Sequence, residues 1–249
     1  MRIILFLAFI AVSYSLAAQN KVDTIRGGQF NLKYLPAGTQ QYLVYLTKDG
    51  VKKNIWLWER TTTREQWQGQ NAVLIRQQWT TSDTGYNSRR LLSVVSAAGF
   101  TPVYHTATNP KTGTEAFNFH PAEIVTADTV AGVTRKDFRM AITEPSFNWE
   151  LDLETFSLLP LKEGKTFAIN FYHPGSQSGP AWYNYTVTGI EKIKTHTGKT
   201  TDCYKLYTAY SNNRGNCTWW LDKQTHEVLK VEEHFGPITR HKLKMAVTE

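Results

Sequence analysis

Apolar and polar residues alternate with a period of two along much of the chain. Phe167, Ile169 and Phe171 alternate with Thr166, Ala168 and Asn170, and Tyr183, Tyr185 and Val187 with Asn184, Thr186 and Thr188. Phe138, Met140 and Ile142 repeat the pattern, and Val73 and Ile75 lead through Gln77 to Trp79. Successive strand side chains point to opposite faces, so each segment predicts a strand with one buried face. Turn residues separate the segments. Lys48-Asp49-Gly50, between YLVYLT and VKKNIWLW, is a tight-hairpin signal, and Asn109-Pro110-Lys111-Thr112-Gly113 a longer turn. His196-Thr197-Gly198, Asn212-Asn213-Arg214-Gly215 and Gly236-Pro237 mark three more. Roughly a dozen strands at this spacing predict an all-β fold, with an antiparallel sheet, sandwich or barrel.

One stretch, from Pro145 to Pro160, breaks this rhythm. As a strand, Phe147, Trp149, Leu151 and Leu153 would alternate with Asn148, Glu150, Asp152 and Glu154. As a helix, Trp149, Leu153 and Phe156 share one face, and acidic residues occupy the first turns, where the helix dipole favours them. The strand pattern collapses after Leu153, so a short helix over 146–158 is favoured, stopped by Pro160 and lying across an apolar sheet face. On this reading Glu150, Asp152 and Glu154 lie toward solvent. Pro174 to Pro180 reads as a loop tip between two strands. No repeat or long linker divides the chain.

The N-terminus carries Arg2, an apolar run from Ile3 to Val12, and small residues at Ser15-Leu16-Ala17-Ala18. The run is too short to span a membrane, so 1–18 is predicted to be a cleaved leader, followed by a single β domain over 19–249 exported to the periplasm. Removing Arg2 from 28 basic residues leaves 27 against 21 acidic ones, a net +6. The basic residues are scattered. Arg240, Lys242 and Lys244 alternate with His241, Leu243 and Met245, which reads as a strand with one charged solvent face. No nucleic-acid partner is expected.

Catalytic signals are sparse. None of the seven histidines pairs at the i, i+4 spacing of a zincin helix, and no metal site is expected. Gly175-Ser176-Gln177-Ser178-Gly179 has the glycine spacing of a hydrolase elbow, but Gln177 holds the nucleophile's place. No phosphate-binding loop or dinucleotide fingerprint is present, so no cofactor is expected, and the chain is read as a non-enzyme. Export favours pairing Cys203 with Cys217, but a hairpin turning at 212–215 would set Cys203 opposite position 224, about 23 Å from Cys217 along the strand. Unpaired, buried thiols are expected. Eight tryptophans spread over the chain predict core packing, or a cavity lined by aromatics.

Three segments then carry a resemblance. Leu159-Pro160-Leu161-Lys162-Glu163-Gly164 resembles a strand lead-in of the form L-P-L-x-x-G. Val187-Thr188-Gly189-Ile190-Glu191, Thr197-Gly198 and Asp202-Cys203-Tyr204-Lys205-Leu206 resemble a V-x-G-x-E … G … D-C-Y-K-L hairpin. Trp220-Leu221-Asp222-Lys223-Gln224-Thr225-His226-Glu227-Val228-Leu229-Lys230 resembles W-L-D-x-x-T-x-x-x-L-K. In this order, over about 158–235, they are similar to uncharacterised bacterial envelope proteins related to the lipoprotein-localisation carriers (LolA/LolB-like). The resemblance implies a curved antiparallel sheet, a half-open barrel, with one short helix on its concave face. It further implies a hydrophobic or lipidated ligand there, an acyl chain or a lipoprotein, with an envelope protein as a further partner. The predicted helix and the neighbouring strand then name the candidate ligand-binding residues Trp149, Leu153, Phe156, Phe167, Ile169 and Phe171. A carbohydrate-binding module and an outer-membrane barrel are the alternatives. The C-terminal Ala246-Val247-Thr248-Glu249 lacks the aromatic expected of the latter.

Overall fold

Hydrophobic alternation and turn chemistry combine into one large sheet. A computed structural model describes residues 22–82, 88–195, 197–211 and 214–246; the predicted leader lies outside them. The first strands are β1 (Val22–Ile25), β2 (Gly38–Lys48), β3 (Val51–Trp67), β4 (Gln70–Thr80), β5 (Arg89–Ser96) and β6 (Pro102–Asn109). β7 (Gly113–Phe119), β8 (Glu123–Thr126), β9 (Arg139–Ala141) and β10 (Phe147–Asn148) lead to a 3-10 turn (Trp149–Leu151) and helix α1 (Asp152–Ser157). β11 (Thr166–Tyr172), β12 (Ala181–Lys194), β13 (Thr200–Ala209), β14 (Asn216–Asp222), β15 (Val228–Phe235) and β16 (Ile238–Lys244) follow.

The 16-stranded sheet runs β1-β11-β12-β13-β14-β15-β16-β2-β3-β4-β5-β6-β7-β8-β9. Two antiparallel meanders, β2 to β9 and β11 to β16, are joined edge to edge by the antiparallel pair β16–β2. β1 and β10 lie parallel to successive stretches of the β11 edge, at Thr166–Ile169 and Phe171–Tyr172. The sheet is not closed into a barrel. It curves round α1, so that helix residues meet strands of both meanders. Phe156 packs on Tyr185 and Trp219, while Leu158 joins a cluster with Val73, Ile75 and Phe100. At the lower end of the concavity, Phe30 and Leu35, in the connection after β1, cover that cluster, and Tyr34 stacks on His226.

The β2–β3 turn places Asp49 and Gly50 at φ 52° and 77°, both in the left-handed region that a twisted two-residue hairpin needs. At Gly215, φ is 142° and a Cβ would lie 1.8 Å from the His234 carbonyl oxygen, so only glycine fits this approach of β13–β14 to β15. The segment over 146–158 is helical only from Trp149 to Ser157, because Phe147 and Asn148 pair with β11 first. Asn148 starts the turn by accepting from the Glu150 amide at 2.9 Å. The periodicity at Phe138–Ile142 yields only the short edge strand β9.

The β13–β14 register is two residues tighter than the turn at 212–215 implied. Cys203 faces Asp222, and Cys217 faces Thr208. Parity is preserved. Cys217 shares the concave face with Leu206 and Trp219, and Cys203 lies on the opposite face. Both are free and buried. Burial pushes the Cys203 thiol up to about 12 and that of Cys217 well above its ordinary value. Thiol titration of unfolded, unreduced protein is therefore expected to give two free groups, and the folded protein almost none at pH 8. A count of zero after unfolding would show a disulfide and overturn this register.

Candidate functional site

The concave face carries the main aromatic cluster of the molecule. Leu153, Phe156, Phe167, Ile169 and Phe171 are buried within it, with Tyr42, Trp58, Tyr185 and Trp219. Trp149 packs at its margin against Phe171, His173 and Tyr183. All six residues that the sequence nominated thus meet in one place. They meet there as packed core: Phe156 has no exposed surface, and its ring lies 4.7 and 4.8 Å from those of Tyr185 and Trp219.

The acidic residues of the helix depart from expectation. Glu154 and Asp152 are buried, and Glu150 is only partly exposed. The cause is a set of cations on the facing strands. Arg60, on β3, donates from Nε to Glu154 Oε1 at 2.9 Å and from Nη2 to Glu154 Oε2, and also to the Glu150 carbonyl at 3.1 Å. Lys242, on β16, comes within 3.6 Å of Asp152. It was expected on a solvent face. Instead it points into the concavity, 4.7 Å from the centre of the Trp58 ring, and is buried. Arg89, at the start of β5, pairs with Glu150 through both guanidinium nitrogens, at 3.1 and 3.2 Å. Burial works against the Arg60 charge, but the Glu154 carboxylate more than offsets it and holds the guanidinium above its ordinary range. Burial likewise opposes ionised Glu150, yet the Arg89 guanidinium, helped by Arg60, holds its carboxyl below the usual range.

Around these pairs the sheet supplies a polar framework. Trp58 donates from Nε1 to Gln77 at 3.1 Å, and Gln77 donates to the Glu150 carbonyl at 2.8 Å. Trp58 stacks on Trp79 at 4.4 Å, with Arg60 over one ring and Arg89 over the other. Asn148 donates to Ser93 and lies 3.2 Å from His105 Nδ1, which is itself 2.8 Å from the Ser93 hydroxyl. Because the Asn148 amide nitrogen can only donate, Nδ1 accepts and the ring is neutral. Ser93 and His105 are fully buried, so this serine–histidine contact braces the helix lead-in and is closed to substrate.

Past the helix, toward the β2–β3 and β15–β16 turns, the concave face stays partly open. Trp56, Trp79, Trp149, Tyr183 and Tyr210 pack against the cluster while keeping exposed surface. Phe235 stacks on Tyr210 beneath Arg240. Of these residues the sequence nominated only Trp149. Trp56 and Trp58 alternate with Ile55 and Leu57, so both faces of β3 are apolar and periodicity could not choose between them. Among the described residues there is no group of three metal-ligating side chains. Ser176 donates its amide to the His173 carbonyl within a loop.

The fold and this face define an all-β protein built on an open curved sheet around a buried helix. The chain belongs to the DUF3108 family, described as a protein of unknown function, whose match covers residues 41–243. That span includes most of both meanders and extends well beyond 158–235. No curated protein matches the chain. Among solved structures it is similar to a beta-barrel-like protein of the domain of unknown function DUF1849 from Brucella abortus. Identity there is 11%, over 84% of this chain and 97% of that one, with a TM-score of 0.42. It is also similar to the hypothetical lipoprotein YmcC from Escherichia coli K12, at 11% identity over 88% and 91% of the two chains, with a TM-score of 0.32.

Two outcomes are expected from the buried charges. Removing one partner leaves the other unpaired, so Glu154→Gln should lose about 3–5 kcal/mol in urea unfolding, while the double variant Arg60→Met/Glu154→Leu should recover most of that loss. A double variant no more stable than the single one would show that the pair is not the governing contact. The second concerns pH. Burial pushes His105 down to about 4, so between pH 6.5 and 4 the unfolded chain binds a proton that the folded chain refuses. Stability is full above the unfolded value and falls by about 1.4 kcal/mol per pH unit per proton as pH drops through that window. Burial depresses His173, His226 and His241 in the same direction. His105→Asn, which keeps an acceptor near Nδ1, should flatten the stability–pH curve by about one proton's slope, and an unchanged slope would refute the assignment.

Proposed function

We propose that the chain is a non-catalytic binding protein, exported by its leader, that takes a hydrophobic or lipidated ligand on the open part of its concave face. The observation that carries this reading is the set of half-buried aromatics, Trp56, Trp79, Trp149, Tyr183 and Tyr210, contributed by separate segments and standing on a fully packed core. Such a surface offers large apolar area at low side-chain entropy cost, the common property of hydrophobic ligand sites. The resemblance to envelope carriers supports the same ligand class. The face differs from a deep acyl cavity in that α1 fills the lower half, so the ligand would cover the cluster and stop at Phe156. A lipid-spanning barrel has less support, because spanning strands must pair every edge, whereas this sheet ends at β9 on one side and at β1 and β10 on the other.

Native mass spectrometry of protein purified without detergent, followed by thermal shifts with fatty acids of several lengths and a diacylated lipopeptide, tests the proposal. A ligand at a hundred times its dissociation constant stabilises the fold by about 2.7 kcal/mol, which for a chain of this size means a rise of about 5–10 °C. Trp56→Ala should lower the melting temperature of the free protein, since the ring packs on the core, and should reduce the ligand-induced shift, measured from the variant's own ligand-free value, by more than half. Absence of any shift across all acyl lengths, together with binding on a glycan array, would replace this reading with that of a carbohydrate-binding module.

A further inference from the structure

At the end of β13 opposite Tyr210 the molecule carries a second concavity that the proposed ligand face does not use. It is an open groove of about 1230 Å³ between the β12–β13 hairpin on one side and the β14–β15 turn with β15 and β16 on the other. Six lysines line it: Lys192, Lys194, Lys199, Lys223, Lys230 and Lys244. Three acidic residues share the lining, Asp202, Asp222 and Glu227. Two of these are already engaged. Asp222 accepts from the Thr201 hydroxyl at 2.6 Å and from the amides of Gln224 and Thr225, both at 2.8 Å. Glu227 pairs with Lys244, and Lys230 pairs with Glu232. Lys192, Lys194, Lys199 and Lys223 have no carboxylate within ion-pair distance among the described residues, and only Asp202 stands against them as an uncommitted charge in the groove.

The walls are ordered by their own bonds. The Thr195 amide donates to the Lys199 carbonyl at 2.8 Å, the Gly198 amide to the Thr195 carbonyl at 2.9 Å, and the Thr195 hydroxyl to the Lys199 carbonyl at 3.0 Å. These bonds tie Thr195, which follows Lys194, back to Lys199. Thr197, Thr200 and Thr225 line the groove, with Thr197 and Thr225 donating their hydroxyls to Thr195 and Asp222, and Ile193, Leu229 and Leu243 add apolar surface. Lysine binds phosphate as a compact point charge, and cations on both walls require a ligand with several anionic groups along its length. Threonine oxygens that can accept from ligand hydroxyls, beside small apolar patches, suit a polyol skeleton between those groups. The volume exceeds what a single small ligand needs.

We propose that this groove binds a saccharide-like polyol carrying several phosphate groups, independently of the hydrophobic ligand face. The test uses the full mature chain and isothermal titration with inositol hexakisphosphate, neutral dextran and inorganic phosphate as probes. A parallel arm measures co-sedimentation with vesicles of phosphatidylcholine containing a third phosphatidylglycerol. The wild type should bind inositol hexakisphosphate, inorganic phosphate at least a hundredfold more weakly, and neutral dextran not at all. The triple variant Lys192→Gln/Lys194→Gln/Lys199→Gln should lose at least tenfold in affinity with an unchanged melting temperature. The control Lys48→Gln/Lys52→Gln/Lys53→Gln, of equal charge change at the other end of the sheet, should stay within twofold of wild type. Equal losses in both triples would reduce the effect to diffuse positive charge and overturn the proposal. No binding of inositol hexakisphosphate would overturn it outright, and vesicle binding that alone depends on the three groove lysines would assign the groove to a membrane surface instead. Acyl-ligand thermal shifts should be the same in the groove triple and the wild type, so failure of one site leaves the other standing.

Discussion

The ion pair between Arg60 and Glu154 is the constraint on which the interior depends. Helix α1 has six residues, far too few to persist alone, and every one of them is buried. It also carries two carboxylates into that interior, where an unpaired charge would cost more than the packing of Leu153 and Phe156 returns. The fold is tenable because β3 supplies Arg60 in a bidentate geometry, while Lys242 and Arg89 stand near Asp152 and Glu150. These contacts come from three strands of the sheet, so they set the helix's rotation and depth more sharply than its apolar face could. A helix turned about its axis would carry Glu154 and Asp152 away from Arg60 and Lys242.

That placement decides what the concave face can do. With α1 seated, Phe156, Phe171, Tyr185 and Trp219 close on one another, and the lower half of the concavity is core. The aromatics beyond the helix are only partly covered, Tyr210 by Phe235, Trp79 by Arg89 and Trp149 by His173, and they keep exposed surface. The Trp58–Trp79 stack links the two regions. Arg60 and Lys242 lie near its inner ring, and Arg89 lies over its outer one. A ligand resting on Trp79 would therefore touch a ring whose other neighbours belong to the charge network that holds the helix. The lysine groove lies at the far end of β13, where opposite chemistry dominates: hydroxyls and cations in place of half-buried rings. One sheet thus presents an apolar surface and a polar one separated by the length of its strands.

Much of the architecture follows from local rules. Period-two alternation at Phe167–Phe171, Tyr183–Val187 and Val73–Trp79 places β11, β12 and β4, although β4, with Ala72, Val73, Leu74 and Ile75 all buried, is covered on both faces and not on one. Lys48-Asp49-Gly50 makes the β2–β3 hairpin because its left-handed positions suit Asp and Gly. The break in rhythm after Leu153 marks the helix, and the register argument separates Cys203 from Cys217 even though the true pairing is two residues tighter. These properties need only neighbouring residues.

What local pattern could not supply is which face of a charged or doubly apolar segment turns inward. Arg240-His241-Lys242-Leu243-Lys244 has the alternation of a solvent-facing strand, yet Lys242 is buried because Asp152, ninety residues earlier in the chain, comes to meet it. Glu154 has the sequence of an exposed helix position and is buried because Arg60 faces it across the concavity. Trp56 and Trp58 are flanked by Ile55 and Leu57, so only the curvature of the sheet assigns the tryptophans to the inside. Local pattern is enough for the long strands, the turns, the helix and the aromatic stock of the core. Which charges are neutralised in the interior, and so which aromatics remain open, emerges only when the strands assemble, because charge pairing across distant strands leaves no trace in local periodicity.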